Sequence, residues 1–218
     1  MKEKVIESIQ KQKLIAIIRG VSEHEVLGVA QALYQGGIRL AEVTFDAAGK
    51  TPDTVTASMI RRIRERFGTD LFVGAGTVLT PEQVECAKEG GAEYIISPDV
   101  NPEVIRRTVS LGMVSIPGAM TPSEIQTAHR CGADFVKVFP AGNLGTDYIR
   151  AVRSPLSQIR LLAVGGINEE NLGEYLKAGV CGAGIGSNII KKDLVAKKDY
   201  AAIEALARKY VQAVEACS

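Results

Sequence analysis

The sequence predicts a (β/α)8 barrel with an N-terminal capping helix, and three observations carry that prediction. Short apolar runs rich in β-formers alternate with amphipathic stretches eight times along the 218 residues. The junctions are punctuated by capping residues where helices begin and by glycines where they stop. The G-x-G-x-x-G fingerprint of an open dinucleotide-binding sheet is absent, because Gly74-Ala-Gly76 lacks the third glycine and Gly182-Ala-Gly184-Ile-Gly186 has the wrong spacing. Alternating units imply a parallel sheet with right-handed crossovers, and eight of them in roughly 200 residues match a closed barrel. A single domain over residues 1–218 is expected.

Taken in order, Val5, Ile6 and Ile9 at helical spacing predict a short amphipathic helix over 2–12 that caps the barrel. Leu14-Ile-Ala-Ile-Ile18 is the first strand. It leads through Arg19-Gly20 to the capping-box pattern Ser22-Glu-His-Glu25 and a helix ending at Gly36-Gly37. Leu40-Ala-Glu-Val-Thr44 precedes a helix at about 53–66, and Leu71-Phe-Val73 leads to Thr80-Pro-Glu-Gln83, a strong helix start. Tyr94-Ile-Ile96 runs into Ser97-Pro98 and a helix opened by Asn101-Pro102. Met113-Val-Ser-Ile116 runs into Pro117-Gly118 and a helix opened by Thr121-Pro-Ser-Glu124. Phe135-Val-Lys-Val-Phe139 is the sixth strand, followed by a helix at about 146–153. Arg160–Val164, a helix from Asn168 to Lys177, Gly182–Ile185 and a last amphipathic helix complete the count.

Composition excludes several function classes. Hydrophobic residues make up 46% and charged residues 23%, so a sizeable core is available and disorder is not in play. Lys plus Arg number 26 against 25 for Asp plus Glu, a balance that argues against nucleic acid or an anionic membrane surface as partner. Charges in Met-Lys-Glu-Lys-Val-Ile-Glu-Ser stand where a signal peptide needs its apolar segment, so a cytoplasmic location is expected. The four cysteines are scattered, which points to reduced, mostly buried thiols rather than a disulfide framework or zinc site. His24 and His129 read as surface residues. Without a His/Asp/Glu cluster, metal-dependent chemistry has weak support.

In a barrel, the C-terminal strand ends and the loops after them build the active site. That rule gathers Arg19, Glu42, Thr44, Thr77, Ser97, Pro98, Pro117, Lys137, Gly165, Gly166, Gly186 and Ser187 around one mouth. Lys137 interrupts an apolar strand. A free amine with a pKa of about 10.4 is neutral in roughly one copy in 2,500 at pH 7, so a nucleophilic lysine needs a downward shift of several units. Two readings of Lys137 stay open: a Schiff-base nucleophile, or a rim lysine whose head reaches solvent or phosphate. Glu42 shares a strand face with Leu40 and Thr44, and fits a partner for Lys137, a general acid/base or a simple buried ion pair. Gly165-Gly166 and Gly186-Ser187 offer bare amides after strands seven and eight, where barrels bind phosphate, although tight turns alone would also require glycine. Gly49-Lys50-Thr51 resembles a Walker A tail, but Thr44 occupies the place of its first glycine.

Together, Glu42-Val-Thr after Gly37, Gly74-Ala-Gly-Thr77, Ser97-Pro98, Pro117-Gly-Ala-Met-Thr-Pro122, Lys137-Val-Phe-Pro140 and Gly165-Gly166 carry a family resemblance. The chain resembles the bacterial 2-keto-3-deoxy-6-phosphogluconate / 4-hydroxy-2-oxoglutarate (KDPG/KHG) aldolases from about residue 8 to 190. The resemblance implies a metal-independent, cofactor-free class I aldolase, usually a homotrimer. In it Lys137 forms the imine with pyruvate or the substrate keto carbon, and Glu42 shuttles protons. Thr77, Pro98 and Phe139 would line the pyruvyl pocket, and Gly165, Gly166, Gly186 and Ser187 would hold the distal phosphate. One departure stands out: where the family pattern continues with an arginine that helps bind substrate anions, this chain has Asp46. An anion there removes an attraction and adds a repulsion, which leaves Arg19 or Lys50 to compensate. Val164, where some relatives carry threonine, points the same way. The competing reading is a phosphate-binding barrel isomerase or epimerase with Glu42 as base and Lys137 merely electrostatic.

Overall fold

The computed structural model of the chain describes residues 1–217. Nine strand segments form one parallel sheet in the order β5-β4-β3-β2-β1-β9-β8-β7-β6. They are β1 (Leu14–Ile18), β2 (Leu40–Thr44), β3 (Phe72–Gly76), β4 (Tyr94–Ile96), β5 (Val114–Ile116), β6 (Gly118–Ala119), β7 (Val136–Val138), β8 (Leu161–Val164) and β9 (Gly182–Ile185). The barrel still has the eight strand positions expected, because β5 and β6 are two halves of one strand. Pro117 lies between them and has no N–H to give to a ladder. The first half pairs with β4 and the second with β7, so the broken strand passes from one neighbour to the other and closes the ring. The seam is reinforced by Lys137 N–H donating to Pro117 O at 2.9 Å. Only glycine fits at 118, where a Cβ would lie 2.4 Å from the Pro98 carbonyl oxygen.

Helices follow most strands and cover the outside: α2 (Val26–Gln35), α3 (Asp53–Phe67), α4 (Pro81–Glu89), α5 (Pro102–Ser110), α6 (Pro122–Arg130), α7 (Ala141–Arg153), α8 (Leu172–Ala178), the short α9 (Lys192–Ala196) and α10 (Tyr200–Glu215). The caps read from sequence form at Thr80, Asn101 and Thr121, and Thr121 with Glu124 makes a complete capping box. Three starts differ from expectation. At Ser22, Glu25 accepts from both the Ser22 N–H and its hydroxyl, so the serine oxygen does not cap and α2 begins at Val26. Asn168 and Asn171 bond each other's backbone, which holds 168–171 as a turn and starts α8 at Leu172. α7 begins at Ala141 rather than near 146, in two pieces joined at the non-helical Gly145. The four cysteines are unpaired and half-buried rather than buried.

Strand alternation sends one set of side chains inward and the other toward the helices. The inner set includes Ile15, Leu40, Phe72, Tyr94, Val114, Phe135 and Leu162, and α1 (Lys2–Gln12) seals its base with Val5, Ile6 and Ile9. The floor of the barrel is therefore built from apolar side chains and the Tyr94 ring, and the charged inward residues Glu42 and Lys137 sit above it. Ile9 is 1% exposed. Ile9→Ala should lower the unfolding free energy by about 2–5 kcal/mol, measured by urea denaturation, because its place over the barrel floor cannot collapse.

Candidate active site

Two charged side chains lie within the apolar barrel. Glu42 is the central residue of β2 and Lys137 of β7, and they are 2% and 7% exposed. Together with Ile15, Ile17, Ile96, Ile116, Leu162 and Val164 they line one cavity, with about 10 Å3 of room, the space of a single water. Small residues make the carboxylate fit: a Cβ on Gly76 would stand 2.7 Å from the Glu42 carboxyl. Burial pushes Glu42 up to about 7, and Lys137 and then Arg19 draw it back. Burial likewise lowers Lys137; Glu42 opposes that shift and Arg19 adds to it. Each group is therefore moved toward its neutral form. Glu42 Oε2 is buried without a hydrogen-bond partner, so it remains available to a water or a substrate.

The remaining expected residues also stand at the C-terminal strand ends. Arg19 follows β1 and is exposed, and its Nη2 donates to Thr77 Oγ1 at 3.1 Å. Thr77 adopts the left-handed conformation (φ 57°) just after β3. These two join Thr44, Phe45, Asp46, Ala48, Thr51 and Met59 around a second cavity of about 420 Å3 beside the first. Pro98 is half-buried after β4. Phe139 follows Lys137 with its ring centroid 4.8 Å from Lys137 Nζ, and it is 41% exposed, so it forms the rim over the lysine.

Across the mouth, Gly165 (φ 86°) and Gly166 (φ 77°) take conformations that favour glycine. The Gly165 carbonyl accepts from Gly142 N–H at 2.7 Å, and the Gly166 carbonyl from Asn171 Nδ2 at 3.0 Å. In a trans peptide the next N–H points opposite to the carbonyl, so the amides of Gly166 and Ile167 face away from those partners. Asn188 Nδ2 donates to Ile167 O at 2.9 Å and ties this loop to the one carrying Gly186 and Ser187. The site thus has a buried Lys–Glu pair at its centre, an arginine with a threonine on one side and paired glycine loops on the other. His24 and His129 are exposed, and among the described residues no three His, Cys, Asp or Glu side chains are grouped to hold a metal.

Sequence reasoning missed two features here. Gly142, in the first turn of α7, packs directly on Gly166, where a Cβ would approach to 2.8 Å; its signal was the glycine itself, two residues after Pro140. Asp46 accepts from the amides of its own loop; its signal was an aspartate followed by Gly49, an Asx-turn pattern.

The family model for KDPG and KHG aldolase matches residues 5–206. The chain belongs to this aldolase family. It is 35% identical over 206 residues to the 2-dehydro-3-deoxy-6-phosphogalactonate aldolase of Escherichia coli K12, covering 94% of this chain and 98% of the relative. It is 34% identical over 214 residues to a 2-dehydro-3-deoxy-phosphogluconate aldolase of Treponema pallidum, covering 96% and 97%. Among solved structures it superposes with a TM-score of 0.84 on a KDPG aldolase from Legionella pneumophila. That relative is 28% identical, the match covers 95% and 97%, and its pyruvate was captured as a covalent carbinolamine. The aldolase fold is a barrel, as the strand count of this family member required. More distant barrels at 16–18% identity, a thiamine phosphate pyrophosphorylase and a 3-hexulose-6-phosphate synthase, share the fold alone.

The Glu42 shift makes stability depend on pH. Its carboxyl holds a proton more tightly when folded (about 7) than at its ordinary 4.5, so its contribution is full below pH 4.5 and is lost as pH rises through 7. Relative to Glu42→Gln, the wild type should lose about 3 kcal/mol between pH 4.5 and 7, measured as the difference between two denaturation series. Parallel series would show that Glu42 is not held protonated by burial.

Proposed function

We propose that the chain is a class I aldolase that cleaves 2-keto-3-deoxy-6-phospho-sugar acids, or 4-hydroxy-2-oxoglutarate, to pyruvate and an aldehyde. The observation that carries this reading is the placing of Lys137 and Glu42 in one small, apolar-walled cavity, each moved toward its neutral form. Neutral Lys137 attacks the substrate C2 carbonyl, and Glu42 carries protons through the carbinolamine as water leaves and an iminium forms. Ionised Glu42 then takes the C4 hydroxyl proton as the C3–C4 bond breaks; its electrons pass into the iminium to give an enamine, and the aldehyde departs. Protonated Glu42 returns the proton to C3, and hydrolysis frees pyruvate and the amine. A carboxyl poised near 7 suits a group that must both give and take a proton at neutral pH.

Phe139, Pro98 and Thr77 are assigned the pyruvyl end, Arg19 the carboxylate, and Gly165, Gly166, Gly186 and Ser187 the distal phosphate, in keeping with glycine loops beside a polar helix start. The covalent pyruvate of the Legionella relative supports the imine. Relatives named for gluconate and galactonate acids at similar identity support the substrate class and both configurations. The aldehyde is glyceraldehyde 3-phosphate from the six-carbon acids and glyoxylate from the hydroxy-oxoglutarate. A cytoplasmic homotrimer needing neither metal nor cofactor completes the reading. A relative at TM-score 0.86, a cage designed by fusing symmetric oligomeric domains, is in keeping with a symmetric assembly.

Incubation with pyruvate and borohydride followed by peptide mass analysis should place the added mass on Lys137. Lys137→Arg, which keeps the charge, should abolish the adduct and reduce pyruvate release about 10^3-fold or more, with EDTA leaving the wild-type rate unchanged. An unmodified Lys137 in folded protein sinks the Schiff-base assignment, and high activity in Lys137→Arg would favour an isomerase or epimerase run by Glu42 alone.

A further inference from the structure

Asp46 puts an anion at the mouth, and by charge alone it should repel an anionic substrate. Its surroundings point to a different role. Oδ1 accepts from Ala48 N–H at 3.0 Å, and Oδ2 accepts from Lys50 N–H at 3.0 Å and Thr51 N–H at 3.1 Å. These amides, with the Lys50 ammonium, hold its carboxyl below the usual range. Three hydrogen bonds to one carboxylate keep it ionised and turn both its oxygens toward the loop amides.

The bonds also fold the loop 46–51 back on the end of β2, up to the start of α3 at Asp53. The adjoining residue, Phe45, is 3% exposed and donates its N–H to Gly76 O at 2.9 Å. Gly76 precedes Thr77, and Thr77 accepts from Arg19. A continuous path therefore runs from the loop amides through Asp46, Phe45, Gly76 and Thr77 to Arg19. Asp46, Ala48 and Thr51 also wall the 420 Å3 cavity that Arg19 and Thr77 share.

We infer that Asp46 is a positioning residue: by capping the amides of Ala48, Lys50 and Thr51 it preforms the β2–α3 loop and fixes the Arg19–Thr77 pair that receives the substrate carboxylate. The inference deepens the aldolase reading and rests on it. Arg19, held by Thr77, then faces the substrate carboxylate on this side of the mouth, and the phosphate is left to the glycine loops opposite. Asp46→Arg would remove the acceptor for three amides, so it would harm the site despite its favourable charge.

The test compares wild type with Asp46→Ala, Asp46→Asn and Asp46→Arg in pyruvate release from 2-keto-3-deoxy-6-phosphogluconate and its galactonate counterpart, with thermal melts alongside. Asp46→Ala should raise KM about tenfold or more with kcat within about threefold, and Asp46→Asn, which keeps one acceptor oxygen, should fall between. Asp46→Arg should lower kcat/KM on both acids. A partly misfolded variant would instead lose kcat at constant KM, and that pattern counts against the inference. A tenfold gain in kcat/KM for Asp46→Arg, or unchanged KM in all three variants, overturns it. Amide hydrogen exchange over residues 47–51 of the unliganded protein gives a readout independent of turnover. Faster exchange in Asp46→Ala supports the clamp, and equal exchange overturns it. Should wild type release no pyruvate from either acid, the aldolase reading fails, and the exchange result still decides whether Asp46 holds the loop.

Discussion

The electrostatic coupling between Lys137 and Glu42 inside an apolar barrel is what the rest of the site depends on. Isolated, either charge would be driven to its neutral form by desolvation; together, each partly holds the other in its charged form. The balance leaves an amine easier to deprotonate than a surface lysine and a carboxyl that titrates near neutrality. Neither property requires a metal or a special loop. Both follow from burying the two groups in a small, apolar-walled cavity, above a floor of Ile15, Leu40, Phe72, Tyr94 and Leu162 sealed by Ile9.

The barrel provides this placement through strand periodicity. Inward positions on β2 run Leu40, Glu42, Thr44, and those around β7 run Phe135, Lys137, Phe139, so each strand passes from apolar floor to charged centre to rim. The rim is divided by charge. On the β1–β3 side stand a guanidinium and threonine hydroxyls, in a loop whose anion is already occupied by its own amides. On the β8–β9 side stand glycine loops tied to each other by Asn188 and seated on Gly142. The substrate proposed above, with a carboxylate at one end and a phosphate at the other, is assigned one end to each side.

Most of the architecture was legible in the sequence because its signals are local. Leu14–Ile18, Leu40–Thr44 and Gly182–Ile185 are strands as read, and Thr80, Asn101 and Thr121 cap helices as read, since cap chemistry depends on neighbours within three or four residues. The misses have tertiary causes. Ala141–Leu144 reads as a loop between Pro140 and Gly145, yet it is helical where Gly142 packs on Gly166 and Tyr175 donates to Ala141 O. Pro117 read as the end of the fifth strand, and the sequence did not show that Gly118–Ala119 resumes it to pair with β7. At the site, Lys137 and Glu42 stood out because charge inside an apolar strand is costly. Asp46 was read as a bare charge because a sequence gives the sign of a side chain and not the direction of its oxygens.

The most direct measurement of the Lys137–Glu42 coupling is the titration of the Lys137 amine itself, followed by NMR in 15N-lysine-labelled protein, with Lys137→Arg to assign the signal. Lys137 should titrate below the surface lysines, and lower still in Glu42→Gln, where the anion that opposes desolvation is gone. A Lys137 that titrates with the surface lysines, and does not respond to Glu42→Gln, would contradict the coupling and with it the chemistry assigned to the pair.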